Sequence, residues 1–317
     1  MASRRIAILG GSGFVGRHLS ARLHHDGHKV VIFTRRPERS RASAVVPSVH
    51  LQSVNVFDEK ALTNALADCD TVVNLIGILN ESRANDFQRV HVELARTLVH
   101  ASHAAGISRM LHMSALNADA GAGASKYLRS KGEGENVAHT TGKPKIAVTS
   151  FRPSVIFGPD DSFFNRFAQL LKLGPVMPLA CPNARFAPVY VEDVVDAMAM
   201  SLADDATIGQ SYELCGPKTY TLEALVRYTA QCIGSSTRIR PMGDMASRIQ
   251  AILLGMAPGK PFTLDNYHSM SKDSVCQSNG FGHFGIKPRA IEGIAPRFLS
   301  RGRERDRFNA LRGHARR

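Results

Sequence analysis

The sequence lacks any long apolar run. No stretch of the 317 residues approaches the roughly 20 apolar residues that a membrane-spanning helix requires. The start superficially resembles a signal peptide, because Arg4 and Arg5 precede an apolar segment, but residues 6–9 are the whole of that segment before glycine interrupts it. We therefore interpret the segment as a first β-strand, and we expect neither a secretory leader nor an organelle presequence.

Cysteine is scarce. The chain has 5 cysteines, and none of them forms a CxxC pair. This spacing predicts neither a disulfide framework nor a thiolate metal site, and it favours a reducing compartment. A cluster of His24, His25 and His28 suits the C-terminal end of a helix, so we expect no metal there either. We expect a cytoplasmic protein, either free or peripheral on the inner face of a membrane.

A uniform excess of basic residues is also absent. The formal net charge is +13, but the excess lies entirely in residues 1–50 and 297–317. Residues 51–296 are balanced, which argues against a nucleic-acid-binding protein. The Arg-rich tail, 301–317, is suited to docking on an anionic membrane surface or an acidic partner. The alternative is a solvated terminus with no partner.

What the sequence does contain is an alternation of short β-type runs and helical patterns, which predicts a parallel sheet with helices on both faces. The fold class is α/β, a doubly wound Rossmann sheet with a smaller C-terminal α/β lobe. We expect a Rossmann domain over 1–160, with 186–205 returning to its sheet. We expect the smaller lobe, which would hold a substrate or partner, over 161–185 and 206–300.

Predicted strands are near 5–9, 29–33, 49–54, 71–76, 108–113, 146–151, 186–190 and 211–214, the last in the lobe. Predicted helices are near 14–26, 59–67, 85–105, 124–141, 163–173, 192–203 and 222–233.

A glycine-rich turn follows the first strand. Gly10 would let the chain turn sharply, Gly13 would let backbone amides approach a phosphate, and Gly16 would let the helix lie close to the strand. The loop and the first helical turn also contain Ser12, Phe14 and Val15. Because a strand precedes this turn and a helix and second strand follow it, the pattern predicts a dinucleotide site.

Three further loops are placed to contact the nucleotide. After the second strand come Arg35 and Arg36, whose guanidinium groups pair with phosphate but cannot accept a hydrogen bond from a ribose hydroxyl. This favours NADP(H) over NAD(H). In the loop after the third strand, Asn55 and Val56 would contact the adenine. In the loop after the fourth strand, Leu75, Ile76 and Gly77 would contact the cofactor ribose.

Ser114, Tyr127 and Lys131 are the candidate catalytic residues. Tyr127 and Lys131 are four residues apart, so they lie on one face of a predicted helix. An ammonium beside a phenol is expected to lower the phenol pKa, and such a tyrosine can exchange a proton with a substrate oxygen. Ser114, at the end of the fifth strand, would hold the same oxygen. Gly132 and Gly134 follow Lys131 and are expected to soften this helix.

With these residues in this order, the chain resembles the extended or atypical short-chain dehydrogenase/reductase superfamily. Segments 152–159 and 189–194 are similar to stretches that line the nicotinamide end in extended members. Segments 127–131, 163–167 and 212–217 more narrowly resemble the 39 kDa-type nucleotide-binding accessory subunit of respiratory complex I and its bacterial relatives. One departure is Asn55, which stands where many extended members have an aspartate.

The resemblance implies a cofactor contact from Pro153, Ser154 and Val155, and it implies a respiratory complex as partner. It also implies NADPH held without an established reaction, with Tyr127 and Lys131 binding the nicotinamide ribose. Two alternatives remain open. One is an active NAD(P)-dependent oxidoreductase, epimerase or dehydratase on a nucleotide sugar, carbonyl or quinone-related substrate. The other is a protein that senses the redox state of NADP.

Overall fold

A computed structural model of the chain describes residues 3–38, 48–82, 84–141, 146–257 and 259–300. The chain divides into two compact units. The first unit contains Met1–Pro153, Val191–Leu214 and Gln277–Ile286, and the second contains Ser154–Tyr190, Cys215–Cys276 and Lys287–Arg317. The basic tail, together with Arg39 and Arg41, lies outside the described residues.

The first unit is built on a parallel sheet of seven strands in the order β3-β2-β1-β4-β5-β6-β11. The strands are β1 (Arg5–Leu9), β2 (Lys29–Thr34), β3 (Val49–Ser53), β4 (Thr71–Asn74), β5 (Arg109–Met113), β6 (Ala147–Pro153) and β11 (Ser211–Leu214). The strand order reverses between β1 and β4. In sheets of this kind, ligands bind beyond the carboxyl ends of the strands at that reversal. The parallel pairing and this strand order confirm the predicted α/β Rossmann fold class.

The central strands are apolar because they are covered on both faces. Residues 6–9 of β1 are completely buried, and residues 30–33 of β2 are at most 2% exposed. Ala7 and Leu9 belong to the same core cluster as Leu62 and Leu98 from two neighbouring helices. Their neighbours Ile6 and Ile8 point to the other face, because side chains alternate along a strand.

The helices of the first unit connect these strands. They are α1 (Phe14–His25), α2 (Glu59–Leu66), α3 (Leu94–Ala104), α4 (Lys126–Thr141) and α6 (Val191–Ser201). A π-helical segment, Gln88–Glu93, leads directly into α3, within the range where the sequence predicted one continuous helix. α1 is tied to α6 by an ion pair between Arg22 and Asp196, with N···O 2.7 Å.

The second unit has its own apolar core, which includes Phe157, Phe164 and Phe186. Its strands form three two-stranded sheets that pair β7 with β10, β8 with β13 and β9 with β12. These strands are β7 (Ile156–Phe157), β8 (Val176–Leu179), β9 (Arg185–Phe186), β10 (Val189–Tyr190), β12 (Tyr220–Thr221) and β13 (Arg238–Pro241). Its helices are α5 (Phe164–Leu170), α7 (Leu222–Ile233), α8 (Asp244–Met256), α9 (Leu264–Met270) and α10 (Ile291–Leu299). In the described residues, no helix is long and apolar enough to cross a bilayer.

Two predicted strands were misplaced. The strand near 186–190 does not return to the large sheet, because Pro188 lacks an N–H group and separates two short strands that pair with β12 and β7. The strand Ser211–Leu214 does not belong to the smaller lobe but pairs with β6 as an edge of the large sheet. A four-residue pattern indicates a strand without indicating its partner.

The expectation of no disulfide was also wrong. Cys215 and Cys276 are bonded to each other, although 61 positions separate them in the sequence. Cys215 directly follows β11, and both residues belong to the second unit. Their spacing carries no pattern, so only the fold shows that they meet.

Candidate functional site

The geometry of the turn between β1 and α1 accounts for the glycines at positions 10, 13 and 16. Gly10 has a φ of +81°, in the left-handed region that glycine tolerates best. Its carbonyl oxygen accepts a hydrogen bond from the Gly13 N–H group at 3.0 Å. A Cβ atom on Gly16 would lie 2.5 Å from that same oxygen, too close for any other residue. The turn is therefore tight, and α1 begins directly against it.

The N-terminus of α1 is suited to an anion. Gly13 is its N-cap residue and provides no side-chain hydrogen bond to the first turn, which contains Phe14 and Val15. Backbone amides at such an end, together with the helix dipole, favour a phosphate. The carbonyl oxygen of Ser12 accepts a hydrogen bond from the Arg17 guanidinium at 3.0 Å, which adds a positive charge near the loop.

Arg35 and Arg36 lie immediately after β2, and both are exposed. The main-chain N–H of Arg36 donates to the Thr34 hydroxyl at 3.3 Å. Since β2 is the neighbour of β1 in the sheet, these arginines follow the strand next to the glycine turn. That position suits the phosphate on an adenosine ribose.

Asn55 and Val56 differ from each other. Asn55 is exposed, and its side-chain oxygen accepts a hydrogen bond from the Phe57 N–H at 3.2 Å. Val56 is 5% exposed and packs in the core of the first unit. Of the two, Asn55 is the residue whose surface is open to a ligand.

The loop after β4 connects the glycine turn to the Tyr–Lys helix. A Cβ atom on Gly10 would lie 3.0 Å from the Leu75 carbonyl carbon. The next residue, Ile76, donates its N–H to the Asn74 side chain at 3.2 Å. A Cβ atom on Gly77 would lie 3.7 Å from Lys131 Nζ. The described loop therefore borders both the turn and the lysine.

Lys131, on α4, is buried next to the end of β5. Its ammonium donates a hydrogen bond to the Met113 carbonyl oxygen at 2.6 Å, which is its only hydrogen bond to the described residues. Burial lowers the pKa of Lys131 to about 8, although the Glu135 carboxylate opposes this shift. An ammonium has three N–H donors, so the arrangement leaves donors for a ligand oxygen.

Ser114 directly follows Met113, whose main-chain oxygen accepts the Lys131 hydrogen bond. It is 4% exposed, and its Oγ atom makes no hydrogen bond of acceptable geometry with the described residues. The hydroxyl is nevertheless near enough to Glu135 to help lower the pKa of that carboxyl. Buried hydroxyls without a partner are rare in native proteins, which marks this one as a candidate ligand contact.

Tyr127 lies one helical turn before Lys131, as predicted, but its pKa does not follow the prediction. Burial raises the pKa of Tyr127 to about 12. The expectation that Lys131 would lower this pKa was therefore wrong. The physical reason is that burial disfavours the charged phenolate.

His91 is a site residue that the sequence did not indicate. It lies in the π-helical segment, a distortion often found at functional sites. Its Nε2 atom accepts the Ile78 N–H at 3.1 Å, so its Nδ1–H is the donor to the Ser130 hydroxyl at 2.8 Å. Burial, with the nearby Lys131 charge, lowers the pKa of His91 to about 3. A neutral imidazole thus connects the loop after β4 to α4.

Glu135 and Arg152 form a second group that the sequence did not indicate. The Arg152 Nε–H donates to both carboxylate oxygens of Glu135, at 2.9 and 3.0 Å. The Ser211 hydroxyl donates to the same carboxylate at 2.5 Å. Burial alone would raise the pKa of Glu135, but these hydrogen bonds and the Arg152 charge lower it. The buried carboxylate therefore remains charged one helical turn beyond Lys131.

Pro153, Ser154 and Val155 span the boundary between the two units. Pro153 ends β6 in the first unit, where its oxygen accepts the Leu116 N–H at 3.0 Å. Ser154 belongs to the second unit and donates to the Ser274 carbonyl oxygen at 2.7 Å. Val155 accepts the Val189 N–H at 2.9 Å in that unit. The cofactor contact suggested for these residues stays a prediction.

The proteins that are similar to this chain include two relatives by sequence and one solved structure. The rat mitochondrial NADH dehydrogenase [ubiquinone] 1 alpha subcomplex subunit 9 is 29% identical over 301 residues, covering 90% of this chain and 77% of its own length. A ceramide reductase from Caulobacter vibrioides is 27% identical over 246 residues, covering 75% of this chain and 74% of its own. A Bacillus cereus UDP-glucuronic acid 4-epimerase, solved with UDP-glucuronic acid and NAD, has the same fold with a TM-score of 0.67. The two share 16% identity, and the alignment covers 93% of this chain and 98% of that one.

These similarities agree with the fold described above. Residues 6–215 match the family described as the NAD dependent epimerase/dehydratase family. The matched range begins at the second residue of β1 and ends just after β11, so it includes all of the large sheet except Arg5. The protein belongs to the NAD dependent epimerase/dehydratase family.

Proposed function

We propose that this protein binds NADP(H) in its first unit and serves mainly as a binding and structural protein, like an accessory subunit of respiratory complex I. One arrangement carries the proposal. The buried Lys131 ammonium donates to Met113 and borders the exposed loop at Gly77, and Met113 is followed directly by Ser114, whose buried hydroxyl makes no hydrogen bond of acceptable geometry with the described residues. The similarity to the rat subunit over most of the chain supports the same function.

The residues present fit a dinucleotide. The pyrophosphate would lie at the uncapped N-terminus of α1, beside Gly13. Lys131 and the Tyr127 hydroxyl would hold the hydroxyl groups of the nicotinamide ribose, near Gly77. When bound, the cofactor supplies a hydride donor or acceptor. It also stabilises the folded chain, because it binds that state and not the unfolded one.

The preference for NADP(H) over NAD(H) rests on Arg35 and Arg36. Both guanidinium groups are exposed at the end of β2, where an acid would be needed to accept from a ribose 2′-hydroxyl. The double variant Arg35→Asp with Arg36→Ser should weaken NADPH binding much more than NADH binding, measured by calorimetry. The control is Arg96→Asp, which alters an exposed arginine on α3. Equal losses for both nucleotides would count against the 2′-phosphate contact.

The Tyr127 phenol bears on the choice between a binding role and turnover. With a pKa of about 12 it keeps its proton near neutral pH, so it cannot serve as a general base in that state. In the binding role, purified protein should carry nucleotide but show no hydride exchange with candidate carbonyls, quinones or nucleotide sugars. Robust turnover with any of these would reject the structural role.

The same observation favours one enzymatic alternative, a carbonyl reductase. A neutral phenol can donate a proton to the carbonyl oxygen while a hydride from NADPH is added to the carbonyl carbon, which gives an alcohol and NADP⁺. The similarity to a ceramide reductase is consistent with this reaction class. Tyr127→Phe should then retain NADPH affinity and lose turnover, whereas unchanged turnover would exclude Tyr127 as the proton donor.

The partner in the proposed role is a respiratory complex, reached at the inner face of a membrane. The Arg-rich tail, 301–317, would contribute electrostatic attraction to an anionic surface. Removal of residues 301–317 should weaken binding to a partner complex or to anionic vesicles, and the loss should shrink at high salt. Binding that is unchanged at every salt concentration would assign the tail no docking role.

A further inference from the structure

Helix α8 in the second unit has its small side chains inside and its large apolar side chains outside. Ser247 and Ala251 are 1% and 0% exposed, and Gly255 follows them at the same spacing. Met245, Leu253 and Met256 are 77%, 59% and 74% exposed. Amphipathic helices in globular proteins normally show the reverse arrangement.

The large side chains form one continuous face. Their spacing of four, three, one and three residues brings them to the same side of a helix with 3.6 residues per turn. We call this surface the apolar face of α8; it consists of Met245, Ile249, Ile252, Leu253 and Met256. Single exposed apolar residues are ordinary on protein surfaces, but a contiguous set of five on one helix marks an interaction site.

The opposite side of α8 anchors the helix. The Ser247 hydroxyl accepts the Cys181 N–H at 3.2 Å. A Cβ atom on Gly255 would lie 3.8 Å from the Thr263 Cα atom, so this side lies close to the segment that leads into α9. At the start of the helix, Asp244 accepts a hydrogen bond from the Tyr267 hydroxyl. Among the described residues, these contacts hold α8 through the side opposite its apolar face.

Basic residues lie on α8 and in the chain segments next to it. Arg248 lies within α8, next to Ile249. Arg238 and Arg240 are exposed on β13, which leads into the helix, and Lys260 is exposed just after it. The described residues of the second unit contain thirteen lysines and arginines against seven aspartates and glutamates. An apolar stripe with basic neighbours matches an anionic lipid surface, where acyl chains lie beneath negative headgroups.

We infer that the apolar face of α8 inserts into the interface of an anionic membrane, with the helix lying parallel to its plane. A helix of 13 residues is suited to lying in the interface. The basic residues on α8 and beside it favour an anionic lipid surface over a protein partner. This site is independent of the nucleotide site proposed for the first unit.

The absence of tryptophan from the sequence permits a direct test. Met256→Trp places a single fluorophore on the apolar face in the full-length protein. With vesicles that contain phosphatidylglycerol, its emission should shift to shorter wavelength, and brominated acyl chains should quench it. The matched control is Ile208→Trp, which lies in the first unit at a residue that is 41% exposed. Its emission should not change.

A second pair of variants measures affinity. Ile249→Gln with Leu253→Gln should lower the partition coefficient onto these vesicles by about tenfold or more, because two apolar side chains no longer enter the lipid. Ile208→Gln should have no effect. All samples are compared at low salt and at about 0.5 M salt, where binding through the Arg-rich tail is screened. Thermal unfolding and NADPH binding establish that each variant is folded.

Three results would overturn the inference. The first is a Met256→Trp emission that does not change with vesicles. The second is equal vesicle binding by the wild type and the double glutamine variant at high salt. The third is a wild-type dimer, seen by light scattering, that the double glutamine variant loses, since the face would then bind a second copy of the chain.

Discussion

The Lys131 ammonium donates a hydrogen bond to the Met113 main-chain oxygen, 2.6 Å away. This contact joins the middle of α4 to the end of β5 and fixes the lysine beside the loop at Gly77. It also keeps a positive charge in a buried position, which lowers the pKa of the ammonium to about 8. Several properties of the protein should depend on this arrangement.

The buried charge should make stability depend on pH. The folded pKa of Lys131 is about 8 and its ordinary value is 10.5. Between these values the unfolded chain binds more protons, so the free energy of unfolding should rise with pH. Measured by urea denaturation relative to Lys131→Met, the wild type should gain up to about 3 kcal/mol across this window. NADPH affinity should fall over the same window as the ammonium loses its charge. If the difference in the free energy of unfolding between the wild type and Lys131→Met stays constant across this window, Lys131 has an ordinary pKa.

His91→Phe should weaken NADPH binding. Phenylalanine can retain the stacking on Phe87 but cannot accept the Ile78 N–H, so the loop after β4 loses its tie to α4. We expect about a fivefold loss of affinity by calorimetry, the effect of one hydrogen bond. The control is His103→Phe, which removes a histidine contact with the Thr141 oxygen and should cost stability without changing affinity. Because the His91 pKa is about 3, wild-type affinity should show no His91 titration between pH 5.5 and 7.5. An unchanged affinity in His91→Phe would remove this residue from the site.

Glu135→Gln should act on Lys131 as well as on Arg152. Loss of the carboxylate weakens the paired hydrogen bonds with Arg152 and should lower the free energy of unfolding by about 2 kcal/mol. It also removes the negative charge that raises the Lys131 pKa. The pH at which stability begins to rise should therefore move below 8 in this variant. Glu133→Gln, two residues earlier on α4, should leave that pH unchanged. If the free energy of unfolding depends on pH in the same way in both variants, Glu135 does not influence the Lys131 pKa.

Gly134→Ala should destabilise the protein even though alanine is the better helix former. Its Cβ atom would lie 2.2 Å from the His91 carbonyl oxygen, so α4 and the π-helical segment would have to separate. We expect a loss of about 2 kcal/mol in urea denaturation. Gly293→Ala is the matched control, because Gly293 lies in α10 with no atom near its Cβ position, and it should stabilise by up to about 1 kcal/mol. A stabilised Gly134→Ala would mean that α4 does not pack as closely as described.

The sequence predicted the features that depend on local pattern. The apolar runs of β1 and β2 and the glycine turn between β1 and α1 led to the Rossmann fold, which the structure confirms. The resemblance drawn from segments such as 127–131 is likewise confirmed by the family match and by the similarity to the rat subunit. The roles assigned to Ser114, Tyr127 and Lys131 stay predictions.

The sequence did not predict the features that depend on distant residues meeting. Glu135 pairs with Ser211 across 76 positions, and neither residue belongs to a recognisable motif. His91 resembled any histidine in an amphipathic helix until the structure showed its two hydrogen bonds. Gly132 and Gly134 suggested a soft helix, whereas a Cβ atom on either would meet a neighbouring main chain within about 2.5 Å. These glycines are explained by close packing.

Calorimetric titration of the full-length protein with NADPH tests the central claim most directly. We predict one NADPH per chain, with affinity about tenfold lower in Lys131→Met, since that variant loses a charge-assisted contact to the cofactor. The Arg35→Asp, Arg36→Ser variant should lose the preference for NADPH over NADH. A wild type that binds no NADPH, or binding that is equal in the wild type and both variants, would contradict the account.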